Sequence, residues 1–385
     1  MLGPLLAALL ALGSQQHSPA AGVPMQLVNN HVVVSVTLNG AGPFRFIVDS
    51  GAGNVIDPAV ASAIGARVGG SVRLVGVGRA VQRGRTAVVH RVTIGATSFA
   101  DQRFVVAASR STFGAAEGPT VDGLIGRDII GAGVTVFDYA NRRLTFHAGR
   151  DAVSGRGTLL LPVADVAGEP AVACKLDDID ATCAIDTGSR LNVTVLGRFA
   201  EQHPGLMPAT RSAIGIDGYG IGGAAYGRLG RLKKLSFGSL SLHRVVADFS
   251  VQQRGAFASR RLAANVGGGV LRHFTLAFDM PHHRIALRPN ADINTPDAVD
   301  RSGLFLVIRG PAVTVLGVRA QTPAAHAGIV PGDRIVRAQG RPVRPAALPQ
   351  LRALLDGPPD SRVRLTIARA GRMPRTLELK LRDYL

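Results

Sequence analysis

The sequence contains no tryptophan, and aromatic residues of all kinds make up only 5% of its 385 positions. Cysteine is almost as scarce: Cys174 and Cys183 are the only two. That excludes a disulfide-dense scaffold, and with no histidine cluster beside them it excludes a zinc site of ordinary spacing; no metal is expected. Long amphipathic runs are few, while Gly 47 and Pro 22 punctuate short β-branched stretches, so a turn-rich, mostly β chain is expected. The net charge of +18 comes almost entirely from arginine. It includes no dense basic block with interleaved aromatics, so nucleic acid is not an expected partner. Solvated arginine accounts for the charge, the alternative being attraction to an anionic surface or acidic substrate. A Gly-x-Ser-x-Gly nucleophile elbow is missing, and Gly76-Val77-Gly78 lacks the remaining spacing of a dinucleotide loop.

Hydrophobic residues reach 46%, ample for two or three buried cores. Met1–Gly13 is almost wholly apolar and is followed by small and polar residues to Gly22. Residues 1–22 resemble a signal peptide, although no Lys or Arg precedes the apolar run, and this places the remainder in the periplasm or outside the cell. The run is too short to span a bilayer comfortably, so no membrane span is expected in the mature protein. The stretch Asp177-Asp178-Ile179-Asp180 has the polarity of a hairpin loop, and symmetric numbering about it sets Cys174 opposite Cys183. That arrangement is compatible with a disulfide or with two buried thiols. The loop aspartates lack a calcium-loop pattern.

Two tetrapeptides organise most of the chain: Asp49-Ser50-Gly51-Ala52 and Asp186-Thr187-Gly188-Ser189. Each follows a short apolar run, so each puts a carboxylate where a strand ends, then a hydroxyl residue, then a turn glycine. Before the first, Leu27–Leu38 and Phe44–Val48 read as a hairpin joined by Asn39–Pro43; Asp57-Pro58 reads as a helix cap and Gly65 as its end. Strand-like runs follow at 71–75, 86–94 and 99–107, with a glycine-rich tip at 76–84 between the first two. The order recurs. Residues 171–176 and 181–185 repeat the hairpin, 195–203 the helix, and Gly215–Gly223, carrying Tyr219, the glycine-rich tip. Val266-Gly267 and Phe278-Asp279 answer Ile125-Gly126 and Phe137-Asp138. An internal duplication of a β lobe is therefore expected, at 23–153 and 154–297.

The doubled Asp-Ser/Thr-Gly-Ala/Ser motif, each copy later followed by a hydrophobic residue and Gly, resembles the aspartic peptidases in a retropepsin-like bilobal form, over roughly residues 25–290. The resemblance implies two β lobes with Asp49 and Asp186 facing each other across a peptide cleft, no cofactor, and protein or peptide substrates. It also implies that Ser50 and Thr187 brace the two loops, while Gly51 and Gly188 let backbone approach the carboxylates. Ala52 and Ser189 complete the loops. Two neighbouring carboxyls cannot both ionise cheaply, so one keeps a proton. Ser189, with only Ala52 at its counterpart, is expected to donate to Asp186 and make it the more readily ionised acid.

Residues 291–302 read as a polar linker, and the last segment, 298–385, resembles a PDZ domain. Gly303-Leu304-Phe305-Leu306 fits the carboxylate-binding loop of that family, with Phe305 where the family has a second glycine. Thr322–Gly328 and Gly332–Ile335 match its short helix and following strand, and Leu348–Leu355 would border the peptide groove, where a peptide ligand adds as a strand. The function expected is an aspartic endopeptidase whose PDZ domain recruits or presents substrates. The alternative is a non-catalytic peptide-binding scaffold with the same fold.

Overall fold

The computed structural model describes residues 22–118, 120–147, 149, 153–207 and 212–384. The expected leader, residues 1–22, lies outside these except for Gly22. Among the described residues no helix is long and apolar enough to cross a membrane.

The chain is mostly β. Its first half builds an eight-stranded sheet in the order 26–28, 31–38, 41–48, 123–125, 55–56, 97–106, 82–94, 68–74. The second half builds another in the same order: 164–166, 169–176, 179–186, 264–267, 193–195, 240–250, 223–237, 215–220. In both, the strand leading to the acidic turn pairs in parallel with the short strand ending in the later glycine motif. The duplication thus extends to strand order and direction. A third sheet takes three strands from each half, and Val134–Asp138 pairs antiparallel with Phe274–Asp279 at its centre. Phe137 and Phe278 meet there edge to face, in a core continuous with both lobes.

Local chemistry explains the elements. His31–Leu38 is rich in β-branched residues and buried along most of its length, as a central strand requires. It starts four residues later than Leu27–Leu38 predicts, because Asn29 and Asn30 both take positive φ (51° and 67°) and make a two-residue turn. Asp57 caps the helix Pro58–Ala63 by accepting from Ala59 N, as expected. Sequence reading missed the helix Ser109–Glu117.

Cys174 and Cys183 are bridged, but not as directly opposed residues. Leu176 pairs with Ile179, so Cys174 faces Ala181 and Cys183 faces Val172. The turn is Asp177-Asp178 alone, and the bridge crosses the hairpin diagonally, with Cα atoms 6.0 Å apart.

The last segment forms a sheet in the order 304–309, 312–318, 334–338, 362–368, 375–380, with Leu348–Leu355 packed over its own apolar core. The polar stretch before it is docked rather than free. Asp297 accepts from Val246 N, Val299 is buried, and Asp300 accepts from Ser302 N and Gly303 N.

Candidate active site

The two acidic turns meet where the lobes join. Ser50 N donates to Thr187 Oγ1 and Thr187 N donates to Ser50 Oγ, each at 3.0 Å. Each hydroxyl then donates across the interface to the strand that carries the other acid: Ser50 Oγ to Ile185 O and Thr187 Oγ1 to Val48 O, both at 2.8 Å. Both side chains are fully buried, so neither donor nor acceptor has water to fall back on, and this reciprocal set fixes the relative position of the loops.

The glycines serve close approach. A Cβ added at Gly51 would lie 2.9 Å from Asp186 Cγ, and one at Gly188 would overlap the Asp49 carboxyl outright. Each turn also supplies an amide to its own acid: Gly51 N to Asp49 Oδ1 and Gly188 N to Asp186 Oδ1, at 2.9 Å each. Asp49 and Asp186 stand within hydrogen-bonding reach of each other. Burial, and then the charge of Asp186, hold the Asp49 carboxyl well above the usual carboxylate range.

Ser189 departs from expectation. Its hydroxyl makes no hydrogen bond to Asp186 and lies instead against Gly267. The donor on the second oxygen of Asp186 is Asn265, whose Nδ2 is 2.7 Å from Oδ2. Asn265 sits on the strand Ala264–Gly267, beside Ala184 and opposite Thr194. The matching layer of the first lobe is Leu124, beside Ile47 and opposite Val55. Thr194 Oγ1 and Asn265 Oδ1 are buried without partners, so the second lobe has a polar layer where the first has an apolar one.

A cleft of about 630 Å³ runs over the acids. Its roof is formed by both glycine-rich tips, which touch: Gly78 N donates to Ile221 O at 3.0 Å and Ala80 N to Gly222 O at 3.1 Å. Tyr219 lines the cleft from the second hairpin. Two further carboxyls in the wall escaped sequence reading. Glu117 would be raised by burial, but His31 and then Arg352 outweigh that and bring it to about 2. Glu169, at the hairpin position that matches His31, is pushed up to about 8 by burial and then by the charge of Asp186.

The PDZ-like loop faces inward. Gly303 N donates to Asp300 Oδ2 at 2.6 Å and Leu304 N to Ser302 Oγ at 3.1 Å, so two loop amides are already satisfied within the chain. Phe305 is buried with the Arg190 guanidinium 5.3 Å from its ring centre, and Leu306 O accepts from Arg352. Arg352 also donates to Ala116 O in the first lobe. Just past the strand Ala312–Val318, Arg319 pairs with Asp217 on the second glycine-rich hairpin, both side chains being buried. Asp217 stands beside Asp248, which burial and then the charge of Asp217 hold well above the usual range. The domain is therefore anchored to one wall and one hairpin of the cleft.

Residues 34–129 match the family model described as aspartyl protease, and residues 314–369 match that of the PDZ domain. No curated protein matches the chain. Among solved structures, an aspartic proteinase from Irpex lacteus aligns at 15% identity and a TM-score of 0.48, over 72% of this chain and 99% of its own. The first lobe is thus similar to aspartyl proteases over residues 34–129, the second lobe repeats its strand order and acidic turn, and the last segment is similar to a PDZ domain over residues 314–369.

Proposed function

We propose that the protein is an aspartic endopeptidase in which Asp49 and Asp186 activate a water molecule against a peptide bond. One observation carries this reading: two carboxyls held face to face over glycines that leave no room for a side chain, by loops locked through Ser50 and Thr187. The ionised acid takes a proton from the water as its oxygen attacks the carbonyl carbon. The protonated acid donates to the carbonyl oxygen, and a proton is then returned to the departing nitrogen. The touching hairpin tips exclude bulk water and must part to admit an extended chain. A cleft of about 630 Å³ lined by both lobes and both hairpins suits an extended protein or peptide substrate, and the PDZ domain presents it by adding a strand along the edge of Leu304–Arg309, which the helix Ser109–Glu117 borders. The bridged cysteines support the exporting compartment, periplasmic or extracellular, that the apolar leader suggests.

The test is hydrolysis of a denatured protein by wild type, Asp49→Asn and Asp186→Asn, with and without a statine-containing peptide. Either substitution should lower kcat by about 10⁴-fold, and the double variant should be little worse, because groups acting as a unit are not additive. Peptide binding without cleavage in wild type would favour the non-catalytic scaffold instead.

A further inference from the structure

We propose that Asn265 divides the labour between the two acids: its amide keeps Asp186 as the charged member and leaves the shared proton with Asp49. This rests on the endopeptidase reading and deepens it. Asp186 receives two donors, Gly188 N on Oδ1 and Asn265 Nδ2 on Oδ2. Among the described residues, Gly51 N alone donates to Asp49. The position equivalent to Asn265 is Leu124, which has nothing to donate, and Ala52 and Ser189 add no bond on either side. Hydrogen bonds to a carboxylate favour its ionised form, so the acid with the extra donor is the base and the other is the acid. The elevation of Asp49 by burial and by the Asp186 charge agrees with that order.

The amide is oriented as well as placed. An ionised carboxyl only accepts, so the NH₂ end of Asn265 must face Asp186, and Oδ1 is left buried and unpartnered. Asn265 touches Asp186 rather than the scissile bond, so it is a positioning residue. Other charged groups bear on the same pair. Asp49, Glu169 and Tyr139 sense Asp186, Arg127 sits beside Glu169, and Arg190, His31 and Glu117 line the cleft. All of these remain in place in the variants proposed here.

The experiment compares full-length wild type with Asn265→Leu, Asn265→Ala, Leu124→Asn, and the exchange Asn265→Leu/Leu124→Asn. Two readouts are taken: kcat/KM against pH on one peptide, and the titration of ¹³C-labelled aspartate carboxyls by NMR. Losing the donor should move the acidic limb, and the lower titration step of the pair, to higher pH by up to about one unit, with kcat falling several-fold and KM nearly unchanged. Leu124→Asn adds a donor beside Asp49 and should move the limb down, and the exchange should bring it back towards wild type. A merely structural role would not produce that return. Profiles that overlay in folded Leu and Ala variants, or an exchange no better than Asn265→Leu, would overturn the proposal. If one Leu variant fails to fold, Asn265→Ala and Leu124→Asn decide. Activity that survives in Asp49→Asn would instead sink the peptidase reading, and a wild type with no cleavage would still leave the NMR titration to judge Asn265.

Discussion

The two lobes share strand order, turn chemistry and a reciprocal pair of hydroxyls, yet they differ in the layer directly under the acids. The first lobe sets Ile47, Val55 and Leu124 there; the second sets Ala184, Thr194 and Asn265. The walls differ in the same spirit. Beside the first lobe, His31 and Arg352 outweigh burial and hold Glu117 near 2; beside the second, burial and the Asp186 charge outweigh Arg127 and push Glu169 up to about 8. A shared backbone therefore fixes where the two carboxyls stand, while unshared side chains fix what each does with a proton.

The largest expected break in this likeness lies in the glycines. Gly188→Ala must displace the Asp49 carboxyl, whereas Gly51→Ala meets Asp186 at 2.9 Å and can be eased by a small shift. Gly188→Ala should lose about a hundredfold or more in kcat/KM and Gly51→Ala distinctly less, since misplacing a reacting group by about 1 Å costs roughly that much. Equal losses would mean that the lobes tolerate crowding alike.

The next contrast is the anchor that ties the second lobe's hairpin to the PDZ domain. Arg319→Met leaves Asp217 buried without its partner, with Asp248 already beside it. Chemical denaturation should show a loss of about 3–5 kcal/mol, the usual cost of breaking a buried pair from one side. The paired change Arg319→Met/Asp217→Leu should recover much of it. This contact also bears on how independent the PDZ domain is: a truncated chain lacking it would expose the same orphaned carboxyl.

A third contrast concerns pH. Glu169 has a folded pKa above its unfolded value, so the stability it contributes is complete below about 4.5 and is lost as pH rises towards 8. Glu117 has a lowered folded pKa, so its contribution is present above about 4.5 and is lost as pH falls towards 2. Melting curves of Glu169→Gln should therefore fall less than wild type between pH 5 and 8. Those of Glu117→Gln should fall less between pH 4 and 2. After allowance for partial solvation each effect is about 1–2 kcal/mol. Identical pH slopes in wild type and both variants would count against these opposed environments.

The smallest expected effect is Ser189→Ala. Its hydroxyl does not reach Asp186, so the acidic limb of kcat/KM should move by no more than a few tenths of a unit, in contrast to Asn265→Leu. A shift as large as that of Asn265→Leu would return the donor's role to the serine.

Much of this molecule was legible from its residues because the informative signals are local. An apolar run, an acid, a hydroxyl and a glycine fit within seven positions, and their recurrence exposed the duplication. The helix Leu348–Leu355 stands where the resemblance to the PDZ domain placed it. Asn265 was not legible, since it is 79 positions from Asp186 and only the parallel register of two strands brings it there. Glu169 became notable only through burial and the field of a distant carboxylate. The helix Ser109–Glu117 carries a modest apolar face and acquires its place from the sheet edge it borders. Tertiary pairing, not composition, decides such residues.

The central sheet, with three strands drawn from each half, makes the protein a single-chain counterpart of a symmetric dimer. In a true homodimer every substitution is written twice, so a donor introduced beside one acid also appears beside the other and the contrast between them is cancelled. Covalent duplication removes that constraint. A change such as leucine to asparagine can then be kept on one side of the axis, and the partner site stays free to follow a different course.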